Sequence, residues 1–227
     1  IIWVIQVMHQ LQPQPEVTTS LRLTTYSTSN SAVFLDHVQL SPWANLQTEV
    51  QQVDWLILHF NHWFSHLNVM LVRGDFEPEY FPATKDLPAR IQFAHGFFNS
   101  ALHEISHWSI AGDKRRLLAD LGYWYAPDGR TAEQQALFEQ VEIKPQAIEW
   151  LFSQAFGRKF RVSLDNLTGD GGDGATFKDN VYAQVQRYFN GEAKLPRDAA
   201  HLIQCICSCT RSGKTLQSDE FRREMLG

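Results

Sequence analysis

Residues 98–110, FNSALHEISHWSI, are the stretch that decides the architecture of this chain. Their apolar residues favour a buried helix, and Ala111-Gly112-Asp113 is a typical helix stop. His103, Glu104 and His107 form an HExxH pattern. Residues four apart lie on one face of a helix, so both imidazoles can bind one metal ion. Glu104 lies beside that pair, where it can accept a proton from metal-bound water.

A site of this kind needs a third protein ligand, and the next long helical pattern offers candidates. That pattern covers residues 132–156, with an interruption or restart expected at Pro145. Glu142 lies in it, 35 residues after His107. On spacing alone it competes with three other acids: Glu139, Glu149 and Asp120. Two histidines and one carboxylate leave coordination positions open, which suits both catalytic Zn²⁺ and non-haem Fe²⁺.

The remaining patterns predict an α+β fold in which helices dominate and the strands are few and short. An amphipathic helix is predicted over residues 49–67, where apolar side chains recur at helical spacing. Between residues 75 and 88 the prolines predict a loop-rich stretch. The further predictions are strands at 68–72, 90–94 and 161–164 and helices at 181–189 and 199–207.

Residues 1–48 differ from the rest of the chain. The run 18–31 is mostly Ser, Thr and Asn, and no helical or strand period persists. The apolar opening Ile1–Met8 has no basic residue near it, since the first is Arg22, so it lacks the pattern of a signal peptide. We therefore expect residues 1–48 to be a poorly ordered or non-native extension and residues 49–227 to form a single catalytic domain.

Composition narrows the possible partners and the compartment. Twenty Lys and Arg against 25 Asp and Glu give a net charge of −5, which disfavours a broad nucleic-acid binder. No stretch reaches the roughly 20 apolar residues of a membrane-spanning helix. The three cysteines, all within Cys205–Cys209, cannot form a paired disulfide framework. A cytoplasmic protein with neither nucleic acid nor membrane as partner is the simplest expectation.

Four blocks of the chain resemble the bacterial elongation factor P hydroxylase family. They are RGDFEPEYFPA (73–83), FAHGFFNSALHEISHWSIAGDKRRLLADLGYWYAPDGR (93–130), FEQVEIKPQAIEWLF (138–152) and VSLDNLTGD (162–170). The blocks lie in the family's order over roughly residues 50–190, which is far more specific than HExxH alone. Residues 1–48 have no recognised counterpart, and the likeness fades after about Ala199.

The resemblance implies a metal-dependent hydroxylase. The family hydroxylates a lysine side chain of elongation factor P that already carries a β-lysyl group, at a metal site resembling that of HExxH metallopeptidases. For this chain it implies His103, His107 and Glu142 as metal ligands and Glu104 as the residue beside the first ligand. Fe(II) is the expected metal, with Zn possible in its place. A mainly helical, zincin-like domain, monomeric and acting on β-lysylated elongation factor P, is the corresponding expectation.

Two other functions stay open at this point. In an HExxH zinc metallopeptidase, Glu104 would act as the general base on a metal-bound water. In a non-enzymatic binding module the metal would be structural, although such sites are normally closed by four protein ligands. His95, eight residues before His103, is a further catalytic candidate. It would contact the substrate or orient the metal surroundings, or it would only be a loop residue that caps the metal helix.

Overall fold

The computed structural model describes residues 42–122, 132–163 and 174–226. Within them lie five α-helices: α1 (Glu49–Trp63), α2 (Phe98–Arg115), α3 (Ala132–Ala155), α4 (Ala175–Phe189) and α5 (Arg197–Thr210). The strands of this part of the chain are β1 (Val69–Arg73), β2 (Glu79–Phe81) and β3 (Ala89–Phe93). The predicted α+β class, mainly helical with a few short strands, is confirmed. The sequence blocks at 123–130 and 164–170 lie outside the described residues.

The three strands form one small sheet in the order β1-β3-β2. β1 runs parallel to β3, with Val69 opposite Ala89, and β2 runs antiparallel to it, with Tyr80 opposite Ile91. Alternate residues of β3 are buried, because successive side chains point to opposite faces of a sheet. The sequence did not predict β2, since a strand of three residues is too short to show a period.

The edge of the sheet at β1 is covered by a side chain of α1. Asn61 accepts a hydrogen bond from the Leu71 N–H at 2.6 Å and donates one to the Leu71 carbonyl at 3.2 Å. An unpaired strand edge invites pairing with another chain. The amide of Asn61 therefore satisfies this edge at one residue and ties α1 to the sheet.

Helix α3 is the central element of the fold. Every residue from 145 to 153 is buried, so this part of the helix is surrounded by protein on all sides. The helix also runs through Pro145, so the predicted interruption there was wrong. An interior proline costs roughly 3 kcal/mol, because it removes one backbone hydrogen bond and crowds the preceding turn. Burial of the surrounding turns outweighs that cost.

Helix α2 is held at both of its ends. Its first backbone donor, the Phe98 N–H, bonds to Oε1 of Glu49 at 3.1 Å. A carboxylate at this position satisfies an otherwise unpaired donor and interacts favourably with the helix dipole. The backbone leaves the helical region at Gly112, with φ 67° and ψ 173°. Helical residues continue to Arg115, so the predicted stop at 111–113 is a break within the element.

The packed part of the chain extends N-terminally beyond Glu49. The Trp43 indole N–H donates a hydrogen bond to the Phe156 carbonyl at 3.2 Å. The Trp43 ring also lies 5.4 Å from the Trp55 ring and 4.6 Å from that of Phe156. Residues 42–48 thus include a side chain that packs against the core. The remainder of the predicted N-terminal extension, residues 1–41, lies outside the described residues.

The segment after α3 returns along that helix. The predicted strand at 161–164 was wrong for its described part, since residues 161–163 form no strand. The buried Gln146 side chain holds the segment instead. Its amide donates to the Ser163 carbonyl at 2.7 Å and accepts from the Ser163 N–H at 3.0 Å. The Gln146 side chain therefore satisfies both backbone polar groups of Ser163, as a neighbouring strand would otherwise do.

The apolar core is one continuous cluster to which all five helices and the sheet contribute. Its largest fully buried side chains include Trp108 on α2 and Trp150 on α3. Among the described helices, none combines the length and the apolar character that a membrane-spanning segment needs.

A buried ion pair fixes the C-terminal end of α2. The Arg116 guanidinium lies 2.6 Å from Oδ2 of Asp198 at the start of α5. It also covers the Trp108 ring at 3.7 Å and donates to the Trp108 carbonyl. The Arg116 carbonyl accepts the Tyr80 hydroxyl at 2.9 Å. One residue therefore joins α2, α5 and β2.

We expect Arg116→Ala to destabilise the protein by about 3–5 kcal/mol, because it leaves the buried Asp198 carboxylate without its inner partner. The matched control is Arg197→Ala. Arg197 pairs with the same carboxylate but is 69% exposed, so its removal should change stability little. Urea unfolding followed by circular dichroism measures both variants. Equal losses for the two arginines would contradict this account of the pair.

Candidate metal centre

The two histidines of the HExxH pattern face one another across a turn of α2. Nε2 of His103 lies 3.0 Å from Nε2 of His107. The His107 side chain is 7% exposed and that of His103 is 21% exposed. The pair therefore lies at the edge of the core and opens to solvent on the His103 side.

The third member of the group comes from α3. Glu142 is 1% exposed, and its two oxygens lie 3.2 Å from Nε2 of His107 and 3.6 Å from Nε2 of His103. One ligand atom from each of the three residues can be chosen so that all lie within 4.8 Å of one another. This is the only such cluster of three or more His, Cys, Asp or Glu residues within the described ranges. The predicted juxtaposition of the HExxH helix and a second helix carrying Glu142 is confirmed.

The donor set fits a divalent transition-metal ion. Bonds from such a metal to nitrogen and oxygen ligands are about 2.0–2.2 Å, so neighbouring ligand atoms lie roughly 3.0–3.5 Å apart. The separations between these side chains are of that size. The Glu142 carboxylate is buried and faces the two imidazoles. A buried carboxylate needs a positive charge or hydrogen-bond donors, and a cation held between the same three side chains would meet that need.

Charge around the two imidazoles leads to the same conclusion. Burial by itself would lower the pKa of His103, but its hydrogen bond to Glu149 and the nearby charges of Glu142, Glu149 and Glu104 raise that pKa to about 10. The pKa of Glu142 is lowered although burial opposes this, because His107 and His103 face it. Three carboxylates thus surround two imidazoles, an arrangement that favours positive charge at this point, either as a proton on His103 or as a metal cation bound in its place.

Glu149 orients the first histidine. Its Oε2 lies 2.8 Å from Nδ1 of His103, so the imidazole donates to Glu149 through Nδ1 and keeps Nε2 available as a ligand atom. Carboxylate–histidine pairs of this kind fix the tautomer and the orientation of metal-binding histidines. The sequence raised Glu149 only as a rival ligand. A signal for its actual place existed, because residues seven apart lie on one helix face and Glu149 follows Glu142 by that spacing.

Glu104 lies beside the ligand cluster on α2, partly buried. Burial raises the pKa of its carboxyl, the charges of His103 and His107 lower it, and the net result is a pKa of about 7. Its predicted role as a proton-handling group beside the metal stays a prediction.

The other rival acids are engaged elsewhere. Asp120 accepts a hydrogen bond from the Tyr80 N–H at 3.0 Å, which places its carboxylate at β2. Glu139 accepts one from the Gln135 side chain at 3.2 Å. Neither belongs to the ligand cluster.

His95 lies apart from the cluster. It is exposed, in the left-handed region with φ 51°, and it lines a small surface cavity with Arg73 and Asp75. Helix α2 begins only at Phe98, so His103 is about five helical residues, or roughly 8 Å, further along the axis. None of the contacts described for His95 joins it to the cluster, and its catalytic role stays a prediction.

Comparison with known proteins adds an independent observation. The family model of elongation factor P hydroxylase matches residues 59–221. A curated relative from Haemophilus influenzae, named elongation factor P lysine hydroxylase, is 50% identical over 153 residues. That alignment covers 66% of this chain and 85% of the relative.

This chain belongs to the elongation factor P hydroxylase family. The matched range contains α2, α3 and α4, so membership depends on most of the folded chain rather than on five residues of one motif. It makes the chain an enzyme of the hydroxylase class and does not favour the metallopeptidase alternative. The His/His/Glu cluster of this hydroxylase is a metal-binding group by its chemistry, although the ligands alone do not select the metal.

We expect Glu149→Gln to weaken metal binding about 10–100-fold, because the amide can present its N–H₂ to Nδ1 of His103 and so disturb the required tautomer. Competition with a chromophoric chelator measures the affinity. Glu139→Gln, on the same helix but outside the cluster, is the control and should bind metal as the wild type does. Unchanged affinity in Glu149→Gln would show that His103 needs no orienting carboxylate.

Proposed function

We propose that this enzyme hydroxylates a modified lysine side chain of elongation factor P at a metal centre formed by His103, His107 and Glu142. The observation that carries the proposal is the convergence of these three side chains in a chain of this family. The substrate is the protein after which the 50% identical Haemophilus influenzae relative is named. The lysine is proposed to carry a β-lysyl group, and the enzyme is proposed to act in the cytoplasm with its substrate.

The residues of the cluster have distinct proposed roles. His103 and His107 hold the ion through Nε2, and Glu142 holds it from the opposite helix. Glu149 fixes the His103 ring. Because three protein ligands leave coordination positions open, and because His103 is the most exposed ligand, the lysine side chain is proposed to enter from the His103 side.

Iron is the metal that the reaction favours. Hydroxylation inserts oxygen into a C–H bond and oxidises the carbon by two electrons. Zn²⁺ has no redox chemistry, whereas a 2-His-1-carboxylate set with open positions is the typical site of non-haem Fe(II) oxygenases. When bound, the iron supplies activation of the oxygen donor.

Glu104 is proposed to handle a proton beside the reacting carbon. The proposal follows from its position, since Glu104 is next to the ligand His103 on α2 and is partly buried beside the cluster. This role differs from that of a peptidase base, since a hydroxylase does not need a water nucleophile at that position. His95 has no assigned step in the proposal.

The decisive experiment measures the intact mass of β-lysylated elongation factor P after incubation with the iron-loaded enzyme and a reductant. We expect a gain of one oxygen atom, located on the modified lysine by fragmentation. His103→Ala should lose both bound iron and product, because it removes one of three ligands. The matched control is His62→Ala on the exposed face of α1, which should keep both. Full product formation by His103→Ala would refute the assigned centre.

Replacement of iron by zinc separates the hydroxylase from the peptidase. The zinc-loaded enzyme should occupy the same ligands and yield no hydroxylated product, because zinc cannot change oxidation state. Metal analysis confirms loading in both samples. Cleavage of an unstructured protein by the zinc form, with no product from the iron form, would reverse the assignment.

A further inference from the structure

A second concave surface lies beyond the metal centre, between the segment that follows α3, helix α4 and the C-terminal residues. We call it the basic cleft. Its volume is about 710 Å³. Lys159, Arg161 and Lys178 line it together with an apolar set that includes Trp150, Phe160 and Met225.

Two of the three cations have no counter-charge within the described residues. Lys159 and Arg161 are exposed, and in the described part of the chain neither forms an ion pair or a side-chain hydrogen bond. Their neighbour Arg158 differs, since it pairs with Glu49, bonds to Gln52 and covers the Phe98 ring. As far as the described residues go, Lys159 and Arg161 are therefore available to a partner, while Arg158 is engaged within the fold.

These cations stand out against the charge of the chain. The net charge is −5, so two neighbouring exposed cations that pair with no acid of the described ranges are a local feature. Met225 adds a second kind of contact, because it is 42% exposed and methionine adapts to varied partner surfaces, whereas Trp150 and Phe160 are buried. A surface with cations beside an exposed methionine suits a protein segment that carries acidic and apolar side chains.

The basic cleft is physically connected to the metal centre through α3. Phe160 stacks on Trp150 with ring centroids 5.9 Å apart, and Ser163 bonds to Gln146. The segment that carries Arg161 thus runs back along α3, and Gln146 is one turn from Glu142. Eight helical residues separate Trp150 from Glu142, which is about 12 Å along the axis.

We propose that the basic cleft docks an acidic segment of the protein substrate and so holds that substrate close to the metal centre. The inference rests on the proposed function, since it takes elongation factor P as the substrate. A nucleic acid is the less suitable occupant, because the three cations that line the cleft are fewer than the phosphate contacts on which binding of a nucleic-acid strand usually depends. The docked segment supplies affinity that the modified lysine side chain alone does not.

The test combines two charge reversals in the full-length, iron-loaded enzyme, Lys159→Glu with Arg161→Glu. Binding of fluorescently labelled, β-lysylated elongation factor P is measured at low and at physiological salt. We expect the Kd to rise about tenfold or more at low salt and its salt dependence to weaken, because complementary charges act mainly through screened attraction. The preference in kcat/KM for intact elongation factor P over a short peptide with the same modified lysine should fall by a similar factor.

The matched control reverses two other exposed lysines, Lys85→Glu with Lys194→Glu, which gives the same net charge outside the cleft. It should bind as the wild type does. Circular dichroism and iron content establish that both variants are folded and loaded. Should the reversal variant fail this check, Lys159→Gln with Arg161→Gln replaces it, with an expected rise in Kd of about threefold.

The results of these measurements distinguish failure of the docking surface from failure of the proposed function. Equal Kd values for the cleft variant and the control, whether unchanged or equally weakened, overturn the proposal. It is also overturned if a mixed-sequence RNA oligonucleotide binds the wild type, displaces elongation factor P and fails to bind the cleft variant. Binding requires no turnover, so cleft-dependent binding without oxygen addition would refute the proposed function and leave the docking surface standing. If the wild type hydroxylates elongation factor P but binds it equally well without the cations of the cleft, the proposed function is supported and the docking surface is refuted.

Discussion

A carboxylate removed from water must face positive charge or hydrogen-bond donors, and this requirement on Glu142 fixes the core of the molecule. Glu142 is 1% exposed and faces two imidazoles on the neighbouring helix. Burial of the Glu142 carboxylate is energetically tolerable only if α2 and α3 pack so that it contacts His103 and His107. The cluster therefore constrains the fold as strongly as the fold positions the cluster. Because a bound cation balances the same charges, metal binding and the packing of the two helices are coupled.

The elements that carry the cluster are restrained independently of it. The N-terminal end of α2 is held by Glu49 of α1, and its C-terminal end by the contacts of Arg116 with α5 and β2. α3 is buried on all sides from 145 to 153. Restraints of this kind leave few ways for the ligands to shift, which is what a site that must hold its ligand atoms within a few tenths of an ångström needs.

The sequence predicted those features that depend on local pattern. α2 follows from its apolar spacing and its Gly112 break, and the histidine pair follows from the i, i+4 rule. The continuation of α3 through Pro145 could not be predicted, because burial on every side is a property of the whole fold. β2 is too short to carry a period, and the partner of Arg116 is Asp198, 82 residues away. From spacing alone, Glu142 was one of several candidate acids for the third ligand, and only the family resemblance selected it. Glu149 was considered only as a ligand, although its spacing from Glu142 places both residues on the same face of α3.

A trio of two histidines and a carboxylate serves hydrolysis in one protein and oxygen chemistry in another, so the trio does not define this enzyme. The reaction depends on whether the ion can change oxidation state, and the substrate depends on surfaces outside the cluster. A single lysine side chain is a small part of elongation factor P, and three ligands and an open coordination position cannot select that protein. Selection has to come from exposed groups outside the cluster. Lys159 and Arg161 are exposed and pair with no acid in the part of the chain that the structure describes, and they lie on the segment that returns along the same helix that supplies Glu142.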